Sequence, residues 1–399
     1  MRCFSIILFA LSLLLPIFLP GQKQALKFDF YGDTISMEIN KADTNAATGI
    51  TLAQLVKVYE QNFENASYQL LADTLMQYKN DHLTDDWIYY QLIRKTAQEI
   101  SPKQNNYERY TVLKWFLLTR SGYNTTLKAG AGRLLFYVQT EDAIFNIPFY
   151  YKDGRQYVCI NYHDYGYFEI KQEKYEEIKT GYSNTGKAFS YKVTRIPEGK
   201  NSAYIDRELR FNYYESISHF TVKLNPSIQQ MFANYPVVDY ESYFNIPLSR
   251  QTYQSLIPAL KKHVAGMKVK KGVDFLMRFT RYAFLFEPDS IAYGREKRLT
   301  PEQTLLYQAS DCEDRAALFF YLVKEIYNLP MLVLSYPEHV TIAVQLKKPV
   351  GRPVMYNGKA YTVAEPTPQK DDIGLGKYLP SLVNTPFEIV YVYDPEAKK

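Results

Sequence analysis

Apolar residues recur every three or four positions through the first third of the chain, which is the spacing of amphipathic helices. This spacing predicts helices over 52–79, from 84 to at least 93, and over 107–120. A threonine followed by two aspartates can cap the second of these helices, and Ser121-Gly122 ends the third. We therefore expect the chain to be mainly helical up to this point, after a polar lead-in.

The apolar pattern then changes to the alternation of β-strands. It predicts strands over 134–138, 143–150 and 156–160, with a turn at 152–154 between the last two. Residues 165–250 lack helical periodicity and carry glycines and prolines between short apolar stretches. This composition favours a smaller, β-rich linking domain.

The final block begins with a predicted helix pair over 255–267 and 272–286. The elements predicted after that pair are a helix over 313–327 and strands over 331–335, 339–346, 360–364 and 387–393. One long helix that leads into an antiparallel meander is typical of an α+β fold rather than of βαβ units. The predicted division is a leader at 1–25, a helical and β domain at 26–164, the linking domain at 165–250 and a C-terminal domain at 251–399.

Composition limits the classes of function that need to be considered. The 399 residues are 46% hydrophobic and 22% charged, which is ample for packed cores and long for one domain. The formal net charge of +5 is spread along the chain without a long basic run, which argues against a nucleic-acid partner. No histidine lies in a metal-binding motif, so we expect neither a metal nor a cofactor.

The first residues have the order of a secretory signal peptide. Met1-Arg2-Cys3 precedes an apolar run that ends near Leu19, and small and polar residues follow. Cleavage after Gly21 and cleavage after Ala25 both remain open. The run is short for a bilayer span of about 20 residues, and an uncleaved membrane anchor is the alternative. We expect an exported protein of the periplasm or cell envelope, with membrane contact only through this segment.

The chain contains three cysteines, Cys3, Cys159 and Cys312, at intervals that fit neither a disulfide framework nor a zinc module. Cys3 would leave with the leader. Cys159 lies within an apolar strand pattern, where a buried packing role is expected. Cys312 directly precedes an apolar helix, and the unsatisfied N–H groups at a helix start favour a thiolate.

Two further residues complete a candidate catalytic constellation around Cys312. His339 stands at the beginning of a predicted strand, and Glu365 ends the next one before Pro366-Thr367. Intervening turn residues allow these strands to pair as neighbours, which would let Glu365 bond one nitrogen of the histidine ring. A cysteine, a histidine and a carboxylate in this arrangement can serve as nucleophile, general base and orienting group.

The C-terminal block resembles the transglutaminase-like superfamily of papain-fold thiol enzymes. The resemblance runs from about Ser255 to Pro368 and is strongest over 310–315, Ser-Asp-Cys-Glu-Asp-Arg, where the family has Gly-Asp-Cys. It also includes the following segments: Phe279-Thr280-Arg281-Tyr282-Ala283-Phe284, Asp289, Tyr293-Gly294-Arg295-Glu296 and Thr300-Pro301-Glu302-Gln303-Thr304-Leu305. It implies Cys312 as nucleophile, His339 as base and acid, and Glu365 as the orienting carboxylate. Ser310 departs from the family glycine, and Glu365 stands where the family has aspartate.

The N-terminal block repeats the order of helix and meander. Laying Tyr107 on Cys312 places Leu134 on His339 and, after a shift of one residue, Asn161 on Glu365. Residues 50–162 would then be an inactive copy of the same fold. Coincidence of two similar layouts is the alternative, because sequence identity across the overlay is near chance.

Two functions follow from this sequence. The first is an exported thiol enzyme that forms an acyl-enzyme with amide bonds of peptides, proteins or cell-envelope material, as a cysteine peptidase, an amidase or a transglutaminase-like acyl transferase. The second is a catalytically inactive binding or assembly protein of the cell envelope that keeps the fold without turnover. The replacement of aspartate by Glu365 and the inactive copy favour the second.

Overall fold

The computed structural model describes residues 23–40, 51–61, 66–166, 168, 170, 173–181, 186–200, 203–286, 297–368 and 372–396. Within these ranges the fold is α+β. The helices are α1 Leu52–Gln61, α2 Ala66–Asp81, α3 Asp86–Ile100, α4 Tyr107–Arg120, α5 Ser227–Met231, α6 Tyr240–Phe244, α7 Arg250–Val264, α8 Val269–Tyr282, α9 Pro301–Leu306 and α10 Cys312–Tyr327.

The strands form two five-stranded sheets and several two-stranded pairs. In the N-terminal half they are β1 Lys23–Phe30, β2 Asp33–Asn40, β3 Thr125–Gly130, β4 Arg133–Thr140, β5 Ile144–Phe145, β6 Phe149–Lys152, β7 Arg155–Cys159 and β8 Glu176–Glu177. In the remainder they are β9 Ile205–Tyr213, β10 Ser216–Leu224, β11 Val237–Val238, β12 Leu285–Phe286, β13 Ala309–Ser310, β14 Met331–Tyr336, β15 His339–Val344, β16 Val354–Tyr356, β17 Lys359–Ala364 and β18 Glu388–Tyr393.

The C-terminal sheet has the order β16-β17-β15-β14-β18, and all of its neighbours are antiparallel. Alternate residues of β15 point to opposite faces, as the pleat requires. Val340, Ile342 and Val344 pack in the main core with the apolar residues of α10, whereas Ala343 packs in a second cluster on the other face. The predicted helix and meander are thus present, with α10 lying against the sheet.

The N-terminal sheet has the order β6-β7-β4-β3-β8 and is also antiparallel. Each of its strands takes the place that the corresponding strand, in chain order, takes in the C-terminal sheet. Leu134, Phe136 and Val138 of β4 pack in the main core with α4, whereas Leu135 and Tyr137 face the other side. Both halves therefore place one helix before a sheet of the same connectivity.

Several elements differ from the sequence expectation for local physical reasons. The predicted strand over 143–150 is divided into β5 and β6, because Asn146 has a left-handed φ of 58° and Pro148 lacks an N–H. Helix α7 begins at Arg250, ahead of the predicted start, and contains Pro258. Helix α8 ends at Tyr282 because β12 pairs in parallel with β13 just before Cys312.

The range predicted as a linking domain contacts both halves of the molecule. Strand β8 joins the edge of the N-terminal sheet, and β11 pairs with β5. The hairpin β9–β10 lies against α7 and α8, where Phe211 and Phe220 pack on Phe279. One apolar core consequently extends through the N-terminal, middle and C-terminal parts of the chain.

The hairpin β1–β2 was not predicted from the sequence, although it alternates buried and exposed residues regularly. Residues 1–22 of the predicted leader lie outside the described residues. Cleavage after Gly21 would leave β1 whole, whereas cleavage after Ala25 would remove three of its residues that pair with β2. Within the described ranges, no helix combines the length and apolar character that a bilayer crossing requires.

Candidate functional site

Cys312 is the first residue of α10, and a reciprocal capping box fixes the start of this helix. The Asp311 carboxylate accepts from the Asp314 N–H at 3.2 Å, and the Asp314 carboxylate accepts from the Asp311 N–H at 3.4 Å. The thiol of Cys312 is free and partly exposed. The capping box therefore holds the Cys312 side chain at a helix start without using its sulfur.

Arg315 also holds the first turn of α10 in place. Its guanidinium is fully buried and donates to backbone carbonyls. The acceptors are Ser310, Thr280, Arg281, Phe284 and Leu285, at 2.6–3.3 Å. These bonds connect the first turn of α10 to the end of α8, so the backbone around Cys312 is held by two elements.

His339 and Glu365 meet at the end of the neighbouring strands. Strands β15 and β17 pair with Ile342 opposite Ala364, which places the residue after β17 beside the beginning of β15. The His339 Nε2 lies 2.8 Å from Oε2 of Glu365, and the other carboxylate oxygen accepts from the Thr367 N–H at 2.8 Å. Since Glu365 occupies Nε2, the Nδ1 atom is the ring nitrogen that can exchange a proton with another group.

Arg281 fixes the backbone of Glu365, a role that the sequence did not indicate. Its guanidinium is buried and donates to the Glu365 carbonyl, to Asp372 at 2.8 Å and to the Ile373 carbonyl at 2.9 Å. The signal that could have revealed it is a row of charged residues at helical spacing on α8, Asp274, Arg278 and Arg281, all of which are buried. A buried guanidinium requires partners.

The thiol of Cys312 lies in an acidic environment. Its Sγ donates to Oε2 of Glu313 at 2.7 Å. Burial, the charge and hydrogen bond of Glu313, and the charge of Asp311 raise the pKa of Cys312 well above its ordinary range. The Val340 N–H, next to His339, opposes this shift. The favourable effect expected from the helix start is thus outweighed, and the resting sulfur is protonated.

The surroundings of His339, in contrast, favour the charged form of its side chain. Burial by itself would lower its pKa, but the hydrogen bond and charge of Glu365, together with the charge of Glu313, raise it above the ordinary value. The side chain of His339 is 12% exposed and that of Glu365 is 3% exposed, so this pair is shielded from solvent. The site therefore holds a protonated thiol within reach of the Val340 N–H, and a histidine, the residue before Val340, that readily carries positive charge.

The corresponding positions in the N-terminal half carry different chemistry. Helix α4 starts at Tyr107 after the cap Asn106, as α10 starts at Cys312 after the cap Asp311. Arg133 opens β4 opposite Gly130, as His339 opens β15 opposite Tyr336. The predicted match of Leu134 to His339 is therefore wrong by one residue, because Leu134 faces the helix as Val340 does.

Asn161 matches Glu365, because Cys159 pairs with Tyr137 as Val363 pairs with Ala343. Its carboxamide accepts from the Phe136 N–H at 2.8 Å and donates to the Leu134 carbonyl at 2.9 Å and to the Tyr107 hydroxyl at 2.9 Å. These bonds are structural, and neither Tyr107 nor Asn161 offers a thiol nucleophile.

Cys159 and Cys312 are both free, so no disulfide joins them. Cys159 is fully buried, and burial raises the pKa of its thiol to about 12. It packs with Tyr137 and Tyr157 on the outer face of the N-terminal sheet. A buried packing role explains this residue.

No family model, curated protein or solved structure matches this chain. Of the segments that carry the family resemblance, Asp289 and 293–296 lie outside the described residues. Within the described ranges, histidine, cysteine and carboxylate side chains form no cluster suited to a metal ion. The site is thus characterised by the geometry of its own residues.

Proposed function

We propose that this protein is an exported, transglutaminase-like thiol enzyme that acts on amide bonds of peptides, proteins or cell-envelope material. Cys312 is the nucleophile, His339 is the general base and acid, and Glu365 orients the histidine. The observation that carries the proposal is the 2.8 Å contact between His339 and Glu365 beside the helix start that bears Cys312. The helix α10 on the antiparallel meander supports a papain-like core.

In the proposed reaction, His339 removes the proton of Cys312, and the thiolate attacks the amide carbonyl. A C–S bond forms, the C–N bond breaks, and His339 returns the proton to the departing amine. Water then gives a peptidase or amidase, whereas an amine gives a transglutaminase. The Cys312 backbone N–H, which as the first of the helix has no intrahelical acceptor, is suited to stabilise the oxyanion.

The contact between the thiol and Glu313 adds a requirement to this mechanism. A thiol that donates to a carboxylate is a poor nucleophile, because the thiolate would face a second negative charge. Catalysis therefore requires that Glu313 turn away, or become neutralised by a positively charged group of the substrate, before the proton moves to His339. In this proposal, the position and charge of Glu313 control whether Cys312 can lose its proton and react.

The same contact favours the second candidate, a catalytically inactive binding or assembly protein of the cell envelope. In that protein the high pKa of Cys312 would be permanent, and the His339–Glu365 pair would be structural. The two candidates differ in whether removing the charge of Glu313 releases a reactive thiolate that depends on His339.

The test is the rate of iodoacetamide alkylation of Cys312 near pH 6, read by mass spectrometry with Cys159 as the internal buried thiol. The Glu313→Gln variant should react about tenfold or more faster than the wild type, since one pKa unit changes the thiolate fraction tenfold. Adding His339→Ala should remove this gain. Glu338→Gln, which removes an exposed charge next to His339, is the matched control and should leave the rate unchanged.

Equal rates in the wild type and Glu313→Gln, or a gain that survives His339→Ala, would support the binding protein. For the enzyme, wild-type protein but not Cys312→Ala should change the amide-linked products in a cell-envelope extract. Mass spectrometry of the extract would then identify the acyl acceptor as water or an amine.

A further inference from the structure

A cavity of about 610 Å³ opens beside the N-terminal helices, away from the elements that carry Cys312, His339 and Glu365. The turn of the β1–β2 hairpin, one face of α3, the beginning of α4 and the segments around Lys200 and Asn225 form its walls. We propose that this cavity binds a small anionic ligand that carries phosphate or carboxylate groups and hydroxyl groups. The ligand is of the size of a sugar phosphate or a sugar acid.

The lining of this anion cavity carries an excess of positive charge. Arg94, Lys95, Lys103 and Lys200 line it, and Asp29 is the carboxylate that faces them. Lys200 pairs with Asp29 at 2.9 Å, but both side chains are more than half exposed, so the pair is weak and can exchange for a ligand. Lys95 pairs with Glu99 at the surface.

Arg94 is the anchor of the proposed site. Its guanidinium donates to the Gln91 side chain at 2.9 Å and to the Tyr110 hydroxyl, which are both neutral acceptors. No carboxylate of the described residues forms an ion pair with it. A guanidinium presents a planar fork of donors that matches a carboxylate or phosphate, and such pairs are stronger than bonds to neutral groups. An anion is therefore the partner that Arg94 is best suited to accept.

The positive charge continues behind the wall of the cavity. The Asp164 carboxylate forms ion pairs with two lysines, Lys103 at 2.7 Å and the fully buried Lys114 at 3.5 Å. The charge of Arg94 acts on the same pair. Burial lowers the pKa of Lys114 to about 7, so near neutral pH this lysine is only partly charged. Asp164 therefore faces two full cations and one partial cation, and an anion held between Arg94 and Lys103 would relieve their mutual repulsion.

The remaining lining suits a ligand with hydroxyl groups. Side-chain amides project from α3, from the loop after it and from the segment near α5. They are Gln91, Gln98, Gln104, Asn225 and Gln230. Amides both donate and accept, as hydroxyl recognition requires. The volume is within the range of about 300–1,000 Å³ that small-molecule sites occupy.

The test is isothermal titration of the full-length protein with inorganic pyrophosphate and, separately, with citrate. Binding of either probe is expected, and the preferred probe distinguishes a phosphate ligand from a carboxylate ligand. Arg94→Gln should weaken binding by about tenfold or more, as loss of a charge-assisted pair predicts. Lys261→Gln removes the same charge from an exposed position outside the cavity and should bind like the wild type.

Lys200→Gln is the second variant, because this side chain is exposed and its loss should not disturb folding. It should weaken binding severalfold. No binding of either probe, or equal affinities in Lys261→Gln and both cavity variants, would overturn the proposal. Neither outcome bears on Cys312, so the result is independent of the proposed thiol chemistry.

Discussion

The N-terminal and C-terminal halves share a framework and differ in the side chains placed on it. In both, an Asn or Asp cap accepts from the N–H three residues later, Asn106 from Arg109 at 2.9 Å and Asp311 from Asp314 at 3.2 Å. Both helices precede five-stranded sheets of equivalent order. The caps and the sheet order specify the backbone, so they constrain sequence independently of any chemistry at the helix start.

The two halves differ in the hydrogen bonds that Glu365 and Asn161 form. Glu365 can only accept, and it accepts from a histidine that is able to gain and lose a proton. Asn161 both donates and accepts, and it connects the beginning of the central strand β4 to Tyr107. In the C-terminal half Glu365 contacts only Nε2 of His339, so Nδ1 is not used by this carboxylate, whereas in the N-terminal half the polar atoms of Asn161 bond to the backbone and to Tyr107. Substitutions in each half can separate these two roles.

The largest expected effect is on the stability of the N-terminal half. Asp164→Asn removes the carboxylate that faces Lys103 and the buried Lys114. Burial lowers the pKa of Lys114 to about 7 even beside Asp164. Without the carboxylate, this lysine must lose its proton or remain buried as an unpaired cation, so the free energy of unfolding should fall by about 3 kcal/mol. The midpoint of urea unfolding measures this loss. Lys114→Met in the same chain is the control, because removal of both partners should recover much of the stability.

The pH dependence of this effect has a defined sign. Burial alone would raise the pKa of Asp164, but Lys114, Lys103 and Arg94 hold it at about 2. The unfolded value is about 3.9, so the wild type should lose this contribution as the pH falls from about 4 towards 2. Asp164→Asn should lack that part of the acid transition. An unchanged transition would mean that Asp164 is not stabilised as an anion.

In the C-terminal half, the charge of Glu365 acts directly on His339. In Glu365→Gln, burial acts on His339 without an opposing charge from residue 365, so the histidine pKa should fall. NMR titration of the ring of His339 measures this shift. The wild-type pair stabilises the fold below the unfolded histidine pKa, and this contribution disappears as the pH rises through the folded pKa. His219→Gln should leave the His339 titration unchanged.

Much of the framework could be predicted from sequence because periodicity reports burial directly. The helix over 107–120 and the strands that bring His339 beside Glu365 follow from apolar spacing and turn residues. The register at Arg133 could not be predicted, because a shift of one residue in a strand depends on hairpin geometry rather than on composition.

The hydrogen-bond partners of individual side chains could not be predicted from the sequence either. The contact of Glu313 with the thiol depends on a rotamer, and the bond of Arg281 to the Glu365 carbonyl joins residues that are far apart in the chain. The hairpin β1–β2 was missed because a polar lead-in with regular alternation resembles a linker until its apolar face has a partner. The local contact of Glu313 acts on Cys312, and the long-range bond of Arg281 acts on the backbone of Glu365.

The smallest expected effect tests the helix starts directly. In Tyr107→Phe, a buried Asn161 N–H loses its acceptor and Asp164 loses a donor at 3.0 Å, so the free energy of unfolding should fall by about 1 kcal/mol. Cys312→Ser should change it by no more than about 0.5 kcal/mol, because a serine hydroxyl can also donate to Glu313. Urea unfolding of both variants compares the two positions. Equal losses would mean that Cys312 is as structural as Tyr107, whereas a loss only at Tyr107 leaves the thiol available for chemistry.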